Sequence, residues 1–202
     1  KFKMHPFIST MANMLVIFGM VTYATKGVSF GAIESTIPNM IIPKINGFPT
    51  IILWAVAAIV IVWFIWNKTT FGKNLYAVGG NPEAASVSGI SVFAVTVGAF
   101  VLAGILYGFG SWLECARMVG SGSAAYGQGW EMDAIAACVV GGVSFTGGIG
   151  KISGVVVGVL IFTALTYSLT ILGIDTNLQF VFEGIIILVA VTLDCLKYVQ
   201  KK

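Results

Sequence analysis

From Ile51 to Trp66 the chain is built only from Ile, Leu, Val, Ala, Phe and Trp. A helix made from such a run is apolar around its whole circumference, so it cannot lie as one face of a soluble domain. At about 1.5 Å per residue, Thr50–Trp66 approaches the roughly 30 Å thickness of a bilayer's hydrocarbon core. Trp54 stands near one end and Trp63 and Trp66 at the other, the placement expected of an aromatic belt. Similar runs recur over about Pro6–Tyr23, Ser91–Leu113, Ile152–Leu172 and Leu178–Leu196. A shorter one, about Asp133–Gly147, ends in glycine-rich sequence and is expected to be a short, re-entrant or broken crossing. The fold expected is an all-α polytopic transmembrane bundle of about six spans. Only 9% of residues are charged and 57% are hydrophobic, which leaves too little polar side chain to clothe a soluble fold.

The connections are polar or glycine-rich. Residues 24–49 hold Lys26, Glu34 and Lys44 among Gly, Pro, Ser and Asn; the stretch is long for a loop, so it is expected to pack on the membrane surface or form a short helix. If six spans alternate, Lys1, Lys3, Lys68, Lys73, Lys151, Lys197, Lys201 and Lys202 share one side, against Lys26, Lys44 and Arg117 on the other. The positive-inside rule then places both termini, the 67–90 connection and the Lys151 turn in the cytoplasm. A re-entrant fourth span breaks the parity of that argument, although Lys68 and Lys73 still flank the 67–90 connection.

Function classes fall away in turn. The net charge of +3 is small and dispersed, which argues against nucleic acid. Three cysteines, Cys115, Cys138 and Cys195, lie at different inferred depths and fit neither a disulfide framework nor a metal site. His5 is the single histidine, with no Cys, Asp or second His nearby, and suits an interfacial residue. Gly141–Gly148 lacks the closing Gly-Lys-Ser/Thr of a phosphate loop, so no nucleotide site and no cofactor bound by this chain is expected. With no intramembrane Ser–His pairing, an enzyme is not expected either. Anything moved uphill must draw its energy from a partner or an ion gradient.

Charges inside a membrane cost roughly 2.5–3.5 kcal/mol each at a helix centre, so each needs a reason. Glu183 lies several residues into the last span, and Glu131 and Asp133 cluster at the start of the fourth. Glu114 and Arg117 have the spacing of a structural ion pair on one helix face. In a solute path, Glu183, Glu131 and Asp133 would accept hydrogen bonds, while Tyr107, Phe145 and Tyr167 would offer apolar ring faces.

The most informative connection is Gly79-Gly80-Asn81-Pro82-Glu83-Ala84-Ala85-Ser86-Val87-Ser88-Gly89. Asn81 suits an N-cap, Pro82 the first helical position, Glu83 the positive end of the helix dipole, and Gly89 a stop. A helix so short is marginal alone and needs docking to persist. Ala84, Ala85 and Val87 give it a slim face for a partner's groove. The same residues also suit an ordinary polar turn.

This stretch resembles the cytoplasmic coupling loop of sugar-importing ABC transporter permeases. The similarity extends to Glu131–Gly148 and to the ending Leu193–Tyr198, with the galactose/methyl-galactoside branch of the family first and the ribose branch next. The resemblance runs over the whole chain, 1–202, as the C-terminal portion of a single transmembrane permease domain with its coupling loop at about 67–90. It implies about four further spans ahead of Lys1, in a subunit of about ten. It also implies a homodimer in a bacterial inner membrane, C-terminus cytoplasmic, working with a cytoplasmic ATPase that binds ATP and Mg and with a periplasmic or lipid-anchored sugar-binding protein. The competing reading is an ion-coupled secondary sugar transporter, using Glu183 or Asp133 for protons or sodium.

Overall fold

The computed structural model describes residues 6–29, 31, 41–45, 48–118, 122–144 and 146–199, and of 193–199 only the backbone. His5, Phe145 and much of the 24–49 stretch expected to pack on the membrane surface or form a short helix lie outside the described residues. In chain order come α1 (Pro6–Thr25), β1 (Lys44–Ile45), β2 (Phe48–Pro49), α2 (Ile51–Lys68), α3 (Thr70–Gly80), α4 (Pro82–Val87), α5 (Val92–Arg117), α6 (Trp130–Val140), α7 (Ile152–Ile171) and α8 (Thr176–Val199). Among the described residues, the regular structure is helical apart from one two-residue ladder, in which Lys44 faces Pro49 and Ile45 faces Phe48.

Among the described residues, four helices are long and apolar enough to cross a membrane: Phe7–Thr25, Ile51–Lys68, Val92–Arg117 and Ile152–Ile171. No residue of α2 is buried within the chain, as befits an element whose surroundings are lipid or other helices. α5, with 26 residues, reaches about 39 Å and exceeds the hydrocarbon core. The last expected span falls on α8, 24 residues long, whose described apolar part is Asn177–Thr192, and the fourth is short, as expected. α6 has 11 residues, so it rises only about 16 Å, half a crossing. It stops because Gly141 and Gly142 follow: Gly142 takes φ +81°, and Val143 N–H reaches back to Cys138 C=O at 3.0 Å.

Two compact units divide the chain, residues 1–54 with 105–128 and residues 55–104 with 129–202. In the first, Trp54 meets Phe109 and Trp112 edge-on, each at 6.0 Å between ring centroids. Trp54 Nε1–H donates to Ile41 C=O at 3.2 Å, and the Thr50 hydroxyl to Pro43 C=O at 2.7 Å, fixing the start of α2 against its own approach segment.

The second unit is organised around α6, which packs on α7 and α8. Its core is Ala136, Ala137 and Phe162, with Ile187 of α8 beside them. Small residues let the backbones touch. A Cβ on Gly158 would lie 2.1 Å from Ala137 O, and a Cβ on Gly154 would lie 2.2 Å from Gly141 O. The Gly154–Gly158 spacing is therefore a helix–helix seam. Gly104 and Gly108, with the same spacing on α5, face nothing within 4 Å.

Candidate functional site

The 67–90 connection is not a loop carrying one short helix. It is two helices in series, an α3 that the sequence reading did not separate and the expected α4. Thr69 starts α3, its hydroxyl oxygen accepting Gly72 N–H at 3.3 Å. Asn81 then serves both helices. Its backbone N–H donates to Ala77 C=O at 3.1 Å to close α3, and its Oδ1 accepts Ala84 N–H at 3.0 Å to open α4. Pro82 sits at the first turn with Glu83, as expected. At the other end Gly89 takes φ +83°, with Gly89 N–H bonded to Ser86 C=O and Ile90 N–H to Ala85 C=O, both at 3.0 Å. A six-residue helix closed this way keeps its shape without drawing on side chains of its outer face.

One expectation for that face is corrected. Ala85 is only 4% exposed, turned into the chain, so it does not share an outward face with Ala84. The outward residues are Ala84, Ser86, Val87 and Ser88, with Val87 92% exposed.

Gly79 and Gly80 form the last turn of α3 and rest on the segment 147–148. A Cβ on Gly79 would sit 2.7 Å from Gly148 N, and one on Gly147 would sit 2.7 Å from Gly79 O. One turn earlier, the Tyr76 hydroxyl donates to Gly150 C=O at 2.6 Å. Phe71 packs flat enough on α5 that a Cβ on Gly98 would meet its ring at 2.7 Å. Tyr76 was not singled out from the sequence. The signal was there: a tyrosine one helical turn before a glycine pair, on a segment too polar to be buried by itself. A cavity of about 630 Å³ opens beside this contact, lined by Trp63, Asn67, Tyr76, Gly141 and Lys151.

The second group of polar residues lies at α6 and α8. Asp133 of α6 and Glu183 of α8 come close to each other where these two helices pack. Glu131 is committed differently: its Oε2 accepts Gly129 N–H at 3.1 Å at the start of α6. All three carboxyls are half-buried. Tyr167, by contrast, is 66% exposed on α7 and Tyr107 is 76% exposed on α5. Of the residues proposed for a path, the fold gathers Glu131, Asp133 and Glu183 and leaves Tyr167 outside that group.

Glu114 and Arg117 form the expected ion pair at the end of α5, with Arg117 Nε at 3.0 and 2.9 Å from the two carboxylate oxygens. Tyr126 completes it, donating to Glu114 Oε1 at 2.6 Å and accepting from Arg117 Nη2 at 3.1 Å. Its bond to the Glu114 carboxylate holds the Tyr126 phenol above its usual titration range.

Comparison with known proteins places these features. Residues 1–191 match a family described as branched-chain amino acid transport system / permease component. Over 211 residues the chain is 54% identical to the galactose/methyl galactoside import permease protein of Treponema pallidum, covering 100% of this chain and 39% of that protein. With the protein of the same description from Escherichia coli the identity is 44% over 205 residues, 98% of this chain and 60% of the other. The ribose import permease protein of Bacillus subtilis is 39% identical over 196 residues, 96% of this chain and 61% of the other. The chain thus spans about 60% or less of the length of these relatives. No solved structure matches it.

Proposed function

The chain belongs to the branched-chain amino acid transport system / permease component family, and from that premise we propose that it is the membrane subunit of a binding-protein-dependent ABC importer for a monosaccharide. Galactose or a methyl galactoside is the first candidate substrate, since relatives described as permeases for these sugars share 54% and 44% of residues with it. Ribose is the second. Its partners in this reading are a cytoplasmic ATPase that holds ATP and Mg, a sugar-binding protein outside, and a second copy of the permease.

The observation that carries the reading is α4: a helix capped at both ends by its own chain, whose outward residue Val87 is 92% exposed. That is the construction needed to dock a rigid element into a partner and be pushed by it. Orientation follows from a contact rather than from counting spans. Tyr76 reaches Gly150, so the α3–α4 element and the Lys151 turn share one side. Lys68, Lys73 and Lys151 then cluster there, which favours the cytoplasm. The half-length α6, with Asp133 near Glu183, fits a path lined by broken backbone and a few carboxyls.

The test is sugar uptake into proteoliposomes holding the full-length permease, its ATPase and its binding protein. Uptake that needs ATP inside and stops without the ATPase supports the proposal. A second reading draws on the same Asp133–Glu183 pair, which has the chemistry to carry a proton through a secondary transporter. Uptake driven by an ion gradient without the ATPase would favour it.

A further inference from the structure

We propose that Tyr76, Gly79 and Gly80 on α3, together with Gly147–Gly150, form the transmission contact by which movement of α4 reaches the half-helix α6. The inference rests on the importer reading above and adds the residues that pass the motion on. At its start there is no slack. Asn81 is both the end of α3 and the beginning of α4, so a push on α4 moves the last turn of α3 with it. That turn meets its neighbour backbone to backbone: Gly79 lies against Gly147 and Gly148, and a Cβ on Gly148 would meet Gly80 Cα at 2.6 Å. No side chain lies between them whose change of rotamer would absorb a displacement of an ångström. The Tyr76 hydroxyl, 2.6 Å from Gly150 O, ties the same surfaces and resists their separation. So the contact transmits both pushing and pulling.

The receiving segment is also stiff. Ser144 N–H donates to Ile149 C=O at 2.9 Å, Gly147 N–H to Ser144 C=O at 3.3 Å, and the Ser144 and Thr146 hydroxyls are 2.9 Å apart. Tied to one another this way, Ser144, Thr146, Gly147 and Ile149 move as one piece with the end of α6 at Val140. α6 in turn bears Asp133 and packs on α8, which carries Glu183. A shift at α4 therefore has a continuous packed route to two carboxyls on adjoining helices. Spatial continuity alone does not demonstrate coupling, so the test must read coupling itself.

The measurement is ATP hydrolysed per sugar delivered, in proteoliposomes with the full-length permease, its ATPase and its binding protein, for Tyr76→Phe, Gly79→Ala and Gly80→Ala. In Gly79→Ala the new methyl group wedges the clasp open, and uptake falls about tenfold or more while hydrolysis stays within about twofold of wild type. Tyr76→Phe removes only the tie and raises the ATP-to-sugar ratio about threefold. Gly80→Ala, whose added Cβ meets nothing within 4 Å, changes the ratio less than either. If Gly79→Ala fails to assemble with the ATPase, Tyr76→Phe decides alone, since it leaves the backbone contact intact. A wild-type ATP-to-sugar ratio in Tyr76→Phe, and in every assembled Gly79→Ala complex, overturns the proposal, even if total uptake falls. Wild-type uptake that proceeds without the ATPase is a separate result, and it defeats the importer reading itself.

Discussion

Gly141 at the end of α6 and Gly154 in α7 face each other so closely that a Cβ on either would lie 2.2–2.3 Å from the other's carbonyl oxygen. Gly158, one turn further along α7, is as tightly held against Ala137. In a membrane, lipid tails are as apolar as leucine, so this approach of backbones is what holds the half-helix in place. Gly158→Ala should force α6 away from α7 and lower stability by about 1–3 kcal/mol, the usual cost of overpacking. Gly108→Ala meets open space within the chain and should be near neutral or slightly stabilising, because alanine favours helix. Thermal unfolding of the two variants in detergent compares them directly; equal midpoints would remove the seam from the account.

The double duty of Asn81 makes a sharper prediction. Asn81→Ala loses the acceptor for Ala84 N–H, and loss of such a cap costs about 1 kcal/mol. For a six-residue helix that is enough to fray it. Hydrogen exchange at the amides of Ala84 and Ala85 should rise by about fivefold in Asn81→Ala, as expected for about 1 kcal/mol. Asn81→Asp retains an acceptor oxygen and should exchange like the wild type. Unchanged protection in the alanine variant would mean that contacts elsewhere hold α4.

Val87 and Ala85 separate docking from folding. Val87 projects from α4 and touches little of its own chain, whereas Ala85 is buried against it. Val87→Asp should leave the permease folded yet weaken ATPase binding about tenfold, roughly 1.4 kcal/mol, by placing a charge in an apolar contact. Ala85→Trp should destabilise the permease itself. Co-purification of the ATPase, scored beside thermal unfolding, distinguishes the two. Full ATPase binding by Val87→Asp would move the docking surface elsewhere.

These residues also show how far sequence reading reaches. Apolar runs with no polar gap define helices by themselves, so α1, α2, α5 and α7 were legible, and Asn81-Pro82-Glu83 announced α4 through local capping chemistry. α3 was not legible, because Lys73, Asn74, Gly79 and Gly80 weaken its helical signal; its last turn packs against Gly147 and Gly148, far along the chain. The outward face of α4 was misassigned at Ala85 for the same reason: burial depends on neighbours distant in sequence. Glu183 and Asp133 were each suspect as intramembrane carboxyls, but it is the packing of α8 on α6, with the whole of α7 between them in sequence, that brings them near each other. Periodicity within one segment says nothing about such pairs.

That pair is where the choice between energy sources can be forced. Glu183 and Asp133 lie close together on α8 and α6, and a secondary transporter would use such a carboxyl pair to carry a proton in each cycle. Glu183→Gln removes one titrating group but keeps the side chain's shape and its capacity to hydrogen-bond. In the importer reading the carboxyl has only a positioning or sugar-contacting role, and work enters at α4. Glu183→Gln should then keep uptake ATP-dependent, within about threefold of wild type, and indifferent to an imposed pH gradient. The measurement is sugar uptake into vesicles holding the full-length permease, ATPase and binding protein, with and without ATP and with the gradient in both directions. If the wild type takes up sugar on a proton gradient alone and Glu183→Gln does not, the carboxyl pair is the motor, and α4 is not the place where energy enters.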